Sequence, residues 1–169
     1  MSQAPTPEPD RIAPYESPRG KRLRAPVLVT LAVLLGFEAV GGLVIFFARL
    51  AAGTTPGEAL HVVLGGGFTL VYLGYQIPHW SRVAPWRSRL DYALGLIAAA
   101  SMVATLATGY ALAWPWWQAR VAAHSAAAVA YAPPVSAAHN IMSMLVLTFV
   151  GAHLAAVLLR DAAAKRRPG

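Results

Sequence analysis

PVLVTLAVLLGFEAVGGLVIFFARL, Pro26 to Leu50, carries one charge, Glu38, ahead of the Arg49–Leu50 pair that closes it. About 20 consecutive apolar residues suffice to cross the hydrocarbon core of a bilayer as a helix, and this stretch is long enough. Three more runs share its character: about Ala59 to His79, about Leu90 to Trp114, and about Ser136 to Leu159. Between them lie the breakers and charges expected in water, Gly53 to Gly57, Ser81 to Arg89 and Pro115 to Pro134. Hydrocarbon offers no partner to a backbone N–H or C=O, so each run must satisfy its own hydrogen bonds. The sequence therefore predicts an all-α membrane protein, a four-helix transmembrane bundle.

Composition agrees. The chain is 57% hydrophobic and 12% charged, with a mean hydropathy of +0.50, against about 45–50% and roughly 25% for a soluble domain. With 169 residues the four spans leave no length for a separate soluble catalytic domain. The expected organisation is a polar arm over residues 1–25, disordered or bound to a partner, a bundle over 26–160, and a basic tail over 161–169. There is no cysteine. Disulfides, thiolate metal sites, cysteine-held iron–sulfur clusters and covalently attached c-type haem are thereby excluded.

Orientation is read from lysine and arginine, which concentrate in cytoplasmic segments. Arg11, Arg19, Lys21, Arg22 and Arg24 precede the first span; Arg82, Arg87 and Arg89 follow the second; Arg160, Lys165, Arg166 and Arg167 follow the fourth. Of the fourteen, this leaves Arg49 and Arg120 for the other side. Both termini are expected in the cytoplasm. The net charge of +7 is thus a topology signal, and no folded basic face is present to suggest nucleic-acid binding.

Ionisable side chains inside a membrane are costly and mark function. Four of the five histidines fall in the second and fourth spans: His61, His79, His139 and His153. Those spans run the same way through the bilayer, so His61 and His139 lie near the outer end and His79 and His153 near the inner. The fourteen residues from His139 to His153 make four turns less about 40°, one face, with a rise of about 21 Å. The eighteen from His61 to His79 make five turns, again one face, rising about 27 Å. Two imidazole pairs at matched depths suit two bis-histidine metal centres stacked across the membrane. Haem b fits best, being large and apolar with histidine as a common axial ligand. Gly65, one turn after His61, and Gly151, next to His153, would let a macrocycle approach the helix backbones.

The pattern resembles the four- and five-helix di-haem cytochrome b subunits of bacterial respiratory enzymes. That group includes the membrane anchors of formate dehydrogenases and nickel–iron hydrogenases and small stand-alone relatives. The resemblance is carried by His139-x13-His153 within AAHNIMSMLVLTFVGAHLAAVLLRD, by LHVVLGG at the start of the second span, and by LATGYALAW in the third. It implies two haems b, a bacterial cytoplasmic membrane, a membrane quinone as exchange partner, and other subunits or an electron donor or acceptor docked on one face. One position departs from it. Relatives often carry the second histidine of the second span fourteen residues after the first, where this chain has Tyr75. His79 lies about 6 Å deeper along the helix, after Pro78, so the inner ligand is His79 or, ranked below it, Tyr75.

Glu38 is the remaining intramembrane charge, expected to face the bundle interior and suited to relaying a proton; a protonated acid bonded to a neighbouring helix is the alternative. His124 sits in the long outer segment without a partner at helical spacing, as a surface residue or a quinone or docking contact. The tryptophans Trp114, Trp116 and Trp117 suit an interfacial belt, and the third span, mostly small residues, is expected to pack and to supply no ligand. The expected function is transmembrane electron transfer between a quinone pool and a redox partner, without a bond-making site. A haem-free anchor subunit, or a small proton relay built from Glu38 and the histidines, are the alternatives, since intramembrane histidines also serve simply to bond helices together.

Overall fold

A computed structural model describes residues 25–82, 90–125 and 129–165. The arm over 1–24, most of the Ser81–Arg89 connection and the end of the basic tail lie outside the described residues. Four helices follow in order: α1 Pro26–Ala52, α2 Glu58–Arg82, α3 Leu90–Trp117 and α4 Pro133–Lys165. All four are long and apolar enough to span a membrane, and no strand occurs among the described residues. The chain is an all-α, multi-pass membrane protein.

Each helix outruns the apolar run that predicted it, because its ends are built from polar and turn-forming residues. α1 starts at Pro26, whose missing N–H costs nothing in a first turn. It ends at Gly53, whose φ of 68° permits its N–H to reach Arg49 O at 3.0 Å, a left-handed stop that glycine adopts without strain. The Thr55-x-x-Glu58 capping pattern opens α2, with Thr55 Oγ1 donating to Glu58 Oε2 at 3.2 Å.

Pro78 gives no N–H to the preceding turn, yet α2 continues past it to Arg82, with Ser81 Oγ donating to Pro78 O at 2.9 Å. α3 likewise runs through Pro115 and passes into a π-helical turn, Gln118–Ala122. The segment expected as open loop from Pro115 is therefore helical for its first eight residues. Pro133 and Pro134 start α4, which reaches Lys165 and makes the beginning of the expected tail helical.

α1 packs along α2 and α3 packs along α4, the latter contact being the more extensive. Ala98, Ala99 and Ser101 of α3 are buried, and such small side chains let membrane helices approach closely. The two hairpins meet far more sparsely, chiefly through α2 and α3. Leu31, Phe68, Tyr72, Met102 and Val146 join all four helices in one buried cluster. Outside it the large apolar side chains point away; Leu50, Leu70 and Leu159 are 70–75% exposed, as suits a surface bathed in lipid.

Candidate functional site

Two polar levels lie on either side of the Leu31–Val146 layer. At the first, α2 carries His61 and α4 carries His139, and their rings stand 6.4 Å apart between centroids at an interplanar angle of 82°. Two imidazole nitrogens in line on opposite sides of one metal ion, about 2.0–2.1 Å from it, would set the centroids roughly 6.3 Å apart. The two rings expected from sequence at this level are thus in contact.

Each ring is oriented by a neighbour through Nδ1. His139 Nδ1 lies 3.1 Å from Thr105 O and 3.2 Å from Thr108 Oγ1. A carbonyl only accepts, so Nδ1 carries the proton and Nε2 keeps its lone pair. His61 Nδ1 stands 2.7 Å from Glu38 Oε2. That approach is too oblique to make a hydrogen bond, and it leaves His61 Nδ1 and Glu38 Oε1 buried without one. A carbonyl accepting from one ring nitrogen, as at His139, is the usual arrangement of a metal-binding histidine; at His61 the carboxylate is near but not aligned.

At the second level His153 Nδ1 donates to Asp91 O at 2.7 Å, which again leaves Nε2 as the basic nitrogen. Asp91 also pairs through Oδ2 with Arg160, tying α3 to α4 at this end. His79 is elsewhere engaged: its ring stacks on Tyr75 at 5.2 Å, and Tyr75 Oη lies 3.3 Å from its Nδ1. The structure thus brings His61 to His139 in ring contact, joins Tyr75 to His79, and holds His153 against α3.

Glycines seat three of the rings. A Cβ on Gly109 would meet His139 Cε1 at 3.1 Å, and one on Gly95 would meet His153 Cε1 at 2.9 Å. On α1, Gly41 and Gly42 face His61 at 3.7 and 3.5 Å. Gly65 instead faces Glu38, and a Cβ on Gly151 would meet nothing within 4 Å. Gly36, grouped with Gly41 and Gly42 in the sequence, also faces open space.

The third helix is therefore more than packing. It supplies Thr105 O, Thr108, Gly109, Gly95 and Asp91 O to the two histidines of α4. A signal was available: Gly95 and Gly109 repeat, on the antiparallel neighbour, the fourteen-residue interval of His139 and His153. The same spacing locates the core layer. Leu31 lies seven residues before Glu38, Phe68 seven after His61, Met102 midway between the glycines and Val146 midway between the histidines.

At the His61 end, beyond the histidines, a third polar cluster joins the connecting segments. Tyr131 Oη donates to Glu58 Oε1 at 2.5 Å, and Arg49 lies over the Tyr131 ring, 5.1 Å from its centroid. Burial and the Glu58 carboxylate hold the Tyr131 phenol well above its usual range. Arg120 Nη1 donates to Ser125 O at 2.7 Å. His124 is exposed with φ of 50°.

Among the described residues no group of three or more His, Cys, Asp or Glu side chains could hold a metal ion; any metal at the first level would have two protein ligands. Comparisons with protein-family models, with curated proteins and with solved structures found no match.

Proposed function

We propose that the chain is a b-type cytochrome that carries electrons across a bacterial cytoplasmic membrane, with both termini in the cytoplasm. The observation that carries this reading is the His61–His139 pair, two imidazoles 6.4 Å apart with a carboxylate or carbonyl behind Nδ1 of each. Two ligands on opposite sides suit a metal whose other positions are filled by a macrocycle, as in haem. The sparse contact between the two hairpins, one bearing His61 and the other His139, supports the same reading.

Haem supplies reversible one-electron chemistry when bound. The chain's part is to hold it, orient it and set its potential. Glu38 behind His61, and Thr105 and Thr108 behind His139, fix the ring planes and raise the basicity of the ligating nitrogens. The Leu31, Phe68, Met102 and Val146 layer keeps water from joining the two levels. His153, its Nδ1 fixed by the Asp91 carbonyl, is assigned to the second level, and His79, stacked on Tyr75, is assigned as its partner ligand there. A membrane quinone and a docked redox subunit are the partners this chemistry calls for.

The test is spectroscopic. Purified protein should contain two haem equivalents by pyridine haemochrome, and His61→Ala and His139→Ala should each remove one. Retention of both equivalents with an unchanged reduced-minus-oxidised Soret spectrum in either variant would exclude the assignment.

A second reading rests on Glu38 itself. A buried carboxylate 2.7 Å from an imidazole is also an arrangement for passing a proton. As a haem-free relay the protein would show no visible absorbance, and proton flux in vesicles would vanish in Glu38→Gln.

A further inference from the structure

We infer that the polar cavity above the His61 level receives the two propionate carboxylates of the haem held there, with Arg49 and Arg120 as their counter-charges. The inference rests on the cytochrome reading.

The cavity, of about 160 Å³, is assembled from four segments. Arg49 comes from the last turn of α1, Thr55 and Glu58 from the turn into α2, Arg120 from the π-helical turn, and Tyr131 from the approach to α4. A second, more open cleft of about 410 Å³ shares Thr55, Glu58 and Arg120 with it and adds the buried Trp116. Glu58 precedes His61 by three residues, about 4.5 Å along the helix axis. The cavity therefore stands directly beyond the imidazole pair, towards water.

Charge decides what it would bind. Among the described residues, Arg49 and Arg120 are the cationic side chains at this end of the bundle, and both line this one cavity. A guanidinium presents a planar fork of N–H donors that matches a carboxylate. The ligand proposed for the level below is an apolar disc whose only charges are two carboxylates on adjacent positions of one edge. Held by imidazoles from helices on opposite sides, that disc stands on edge in the membrane, so its charged edge reaches water only at an end of the bundle. The arrangement sets one guanidinium against each of two carboxylates. Glu58 opposes it. Its charge is offset by hydrogen bonds from Tyr131 at 2.5 Å and Thr55 at 3.2 Å, and its removal should strengthen the binding of an anion.

Full-length apo-protein in detergent, carrying His153→Ala so that only the His61 level is loaded, is titrated with haem b and with haem b dimethyl ester, following the Soret band. The ester has the same disc and iron but no carboxylate charge. The free acid should bind roughly tenfold to a hundredfold tighter, the range for charge-assisted hydrogen bonds. The preference should disappear when Arg49→Gln and Arg120→Gln are combined, and widen in Glu58→Gln. Equal binding of acid and ester to the parent protein, or a preference untouched by the arginine substitutions, overturns the inference while leaving the cytochrome reading intact. A parent protein that takes up neither compound overturns both. The comparison of acid with ester in the parent protein needs no substitution in the cavity, so it decides the matter even if the arginine variants misfold.

Discussion

Glu38 Oε2 lies 2.7 Å from His61 Nδ1, joining α1 to α2 inside the membrane. The contact is an ion-pair approach without hydrogen-bond alignment, and it leaves His61 Nδ1 and Glu38 Oε1 buried with no hydrogen-bond partner. A carboxylate behind a ligating imidazole usually contributes tenfold to a hundredfold in metal affinity. Glu38→Gln keeps the shape and removes the charge. Haem at the His61 level should dissociate about that much more readily, and its midpoint potential should rise. Equal haem retention and equal potential in a redox titration would leave Glu38 no part in holding the ring.

Gly95→Ala should unseat His153, because the new Cβ would stand 2.9 Å from its Cε1 and 3.0 Å from the Nδ1 that bonds to Asp91 O. Overpacking of this kind costs about 1–3 kcal/mol. The variant should lose one haem equivalent, keep the other, and melt lower in detergent. Gly36→Ala, where nothing lies within 4 Å, should leave both haem content and melting temperature unchanged.

Thr105 and Thr108 separate two roles on one turn of α3. Thr108 Oγ1 reaches His139 Nδ1, whereas Thr105 Oγ1 is buried with no partner and only its carbonyl meets the ring. Thr105→Val should be neutral or stabilising, since an unsatisfied buried hydroxyl costs about 1–3 kcal/mol. Thr108→Val should retain haem, through the Thr105 carbonyl, with an altered Soret position or potential. A reversed order of melting temperatures would contradict these roles.

His79→Ala should remove the haem at the His153 level, and Tyr75→Phe should keep it. Tyr75 Oη is 3.3 Å from His79 Nδ1, the place of an orienting group rather than of a second ligand. The opposite pattern, haem lost in Tyr75→Phe and kept in His79→Ala, would make tyrosine the ligand.

Asp91→Asn should change stability by no more than about 1 kcal/mol. Its partner Arg160 is one-third exposed, and ion pairs of this kind contribute little. The backbone carbonyl that holds His153 remains. A loss of haem in Asp91→Asn would instead show that the carboxylate positions the backbone there.

The four spans were legible because hydropathy is a property of a run and needs no knowledge of neighbours. The pairing of His61 with His139 was legible for a related reason: two parallel helices with histidines at equal depth have few other ways to bury them. Glu38 was legible as an intramembrane acid but its partner was not, because nothing in one helix states its rotation against another. α3 was the largest loss. Its contribution is a carbonyl, a hydroxyl and two absent side chains, and none of these stands out in a stretch such as LIAAASMVATLATG. Only the matching fourteen-residue interval of Gly95 and Gly109 betrays it. Pro115 was read as the start of a loop, yet the helix runs through it and on into the π-helical turn.

The layer of Leu31, Phe68, Met102 and Val146 has an electrical meaning as well as a packing one. It is a dry diaphragm between two wet ends, and a membrane voltage falls where water is absent. The levels it separates are about 21 Å apart along α4, most of a hydrocarbon core of about 30 Å. A charge moved fully across a membrane does work of about 2.3 kcal/mol per 100 mV. An electron stepping from one level to the other would move through most of that voltage, which opposes the step in one direction and assists it in the other. A polar residue at Val146, by wetting the diaphragm, would short-circuit that coupling without touching a single histidine.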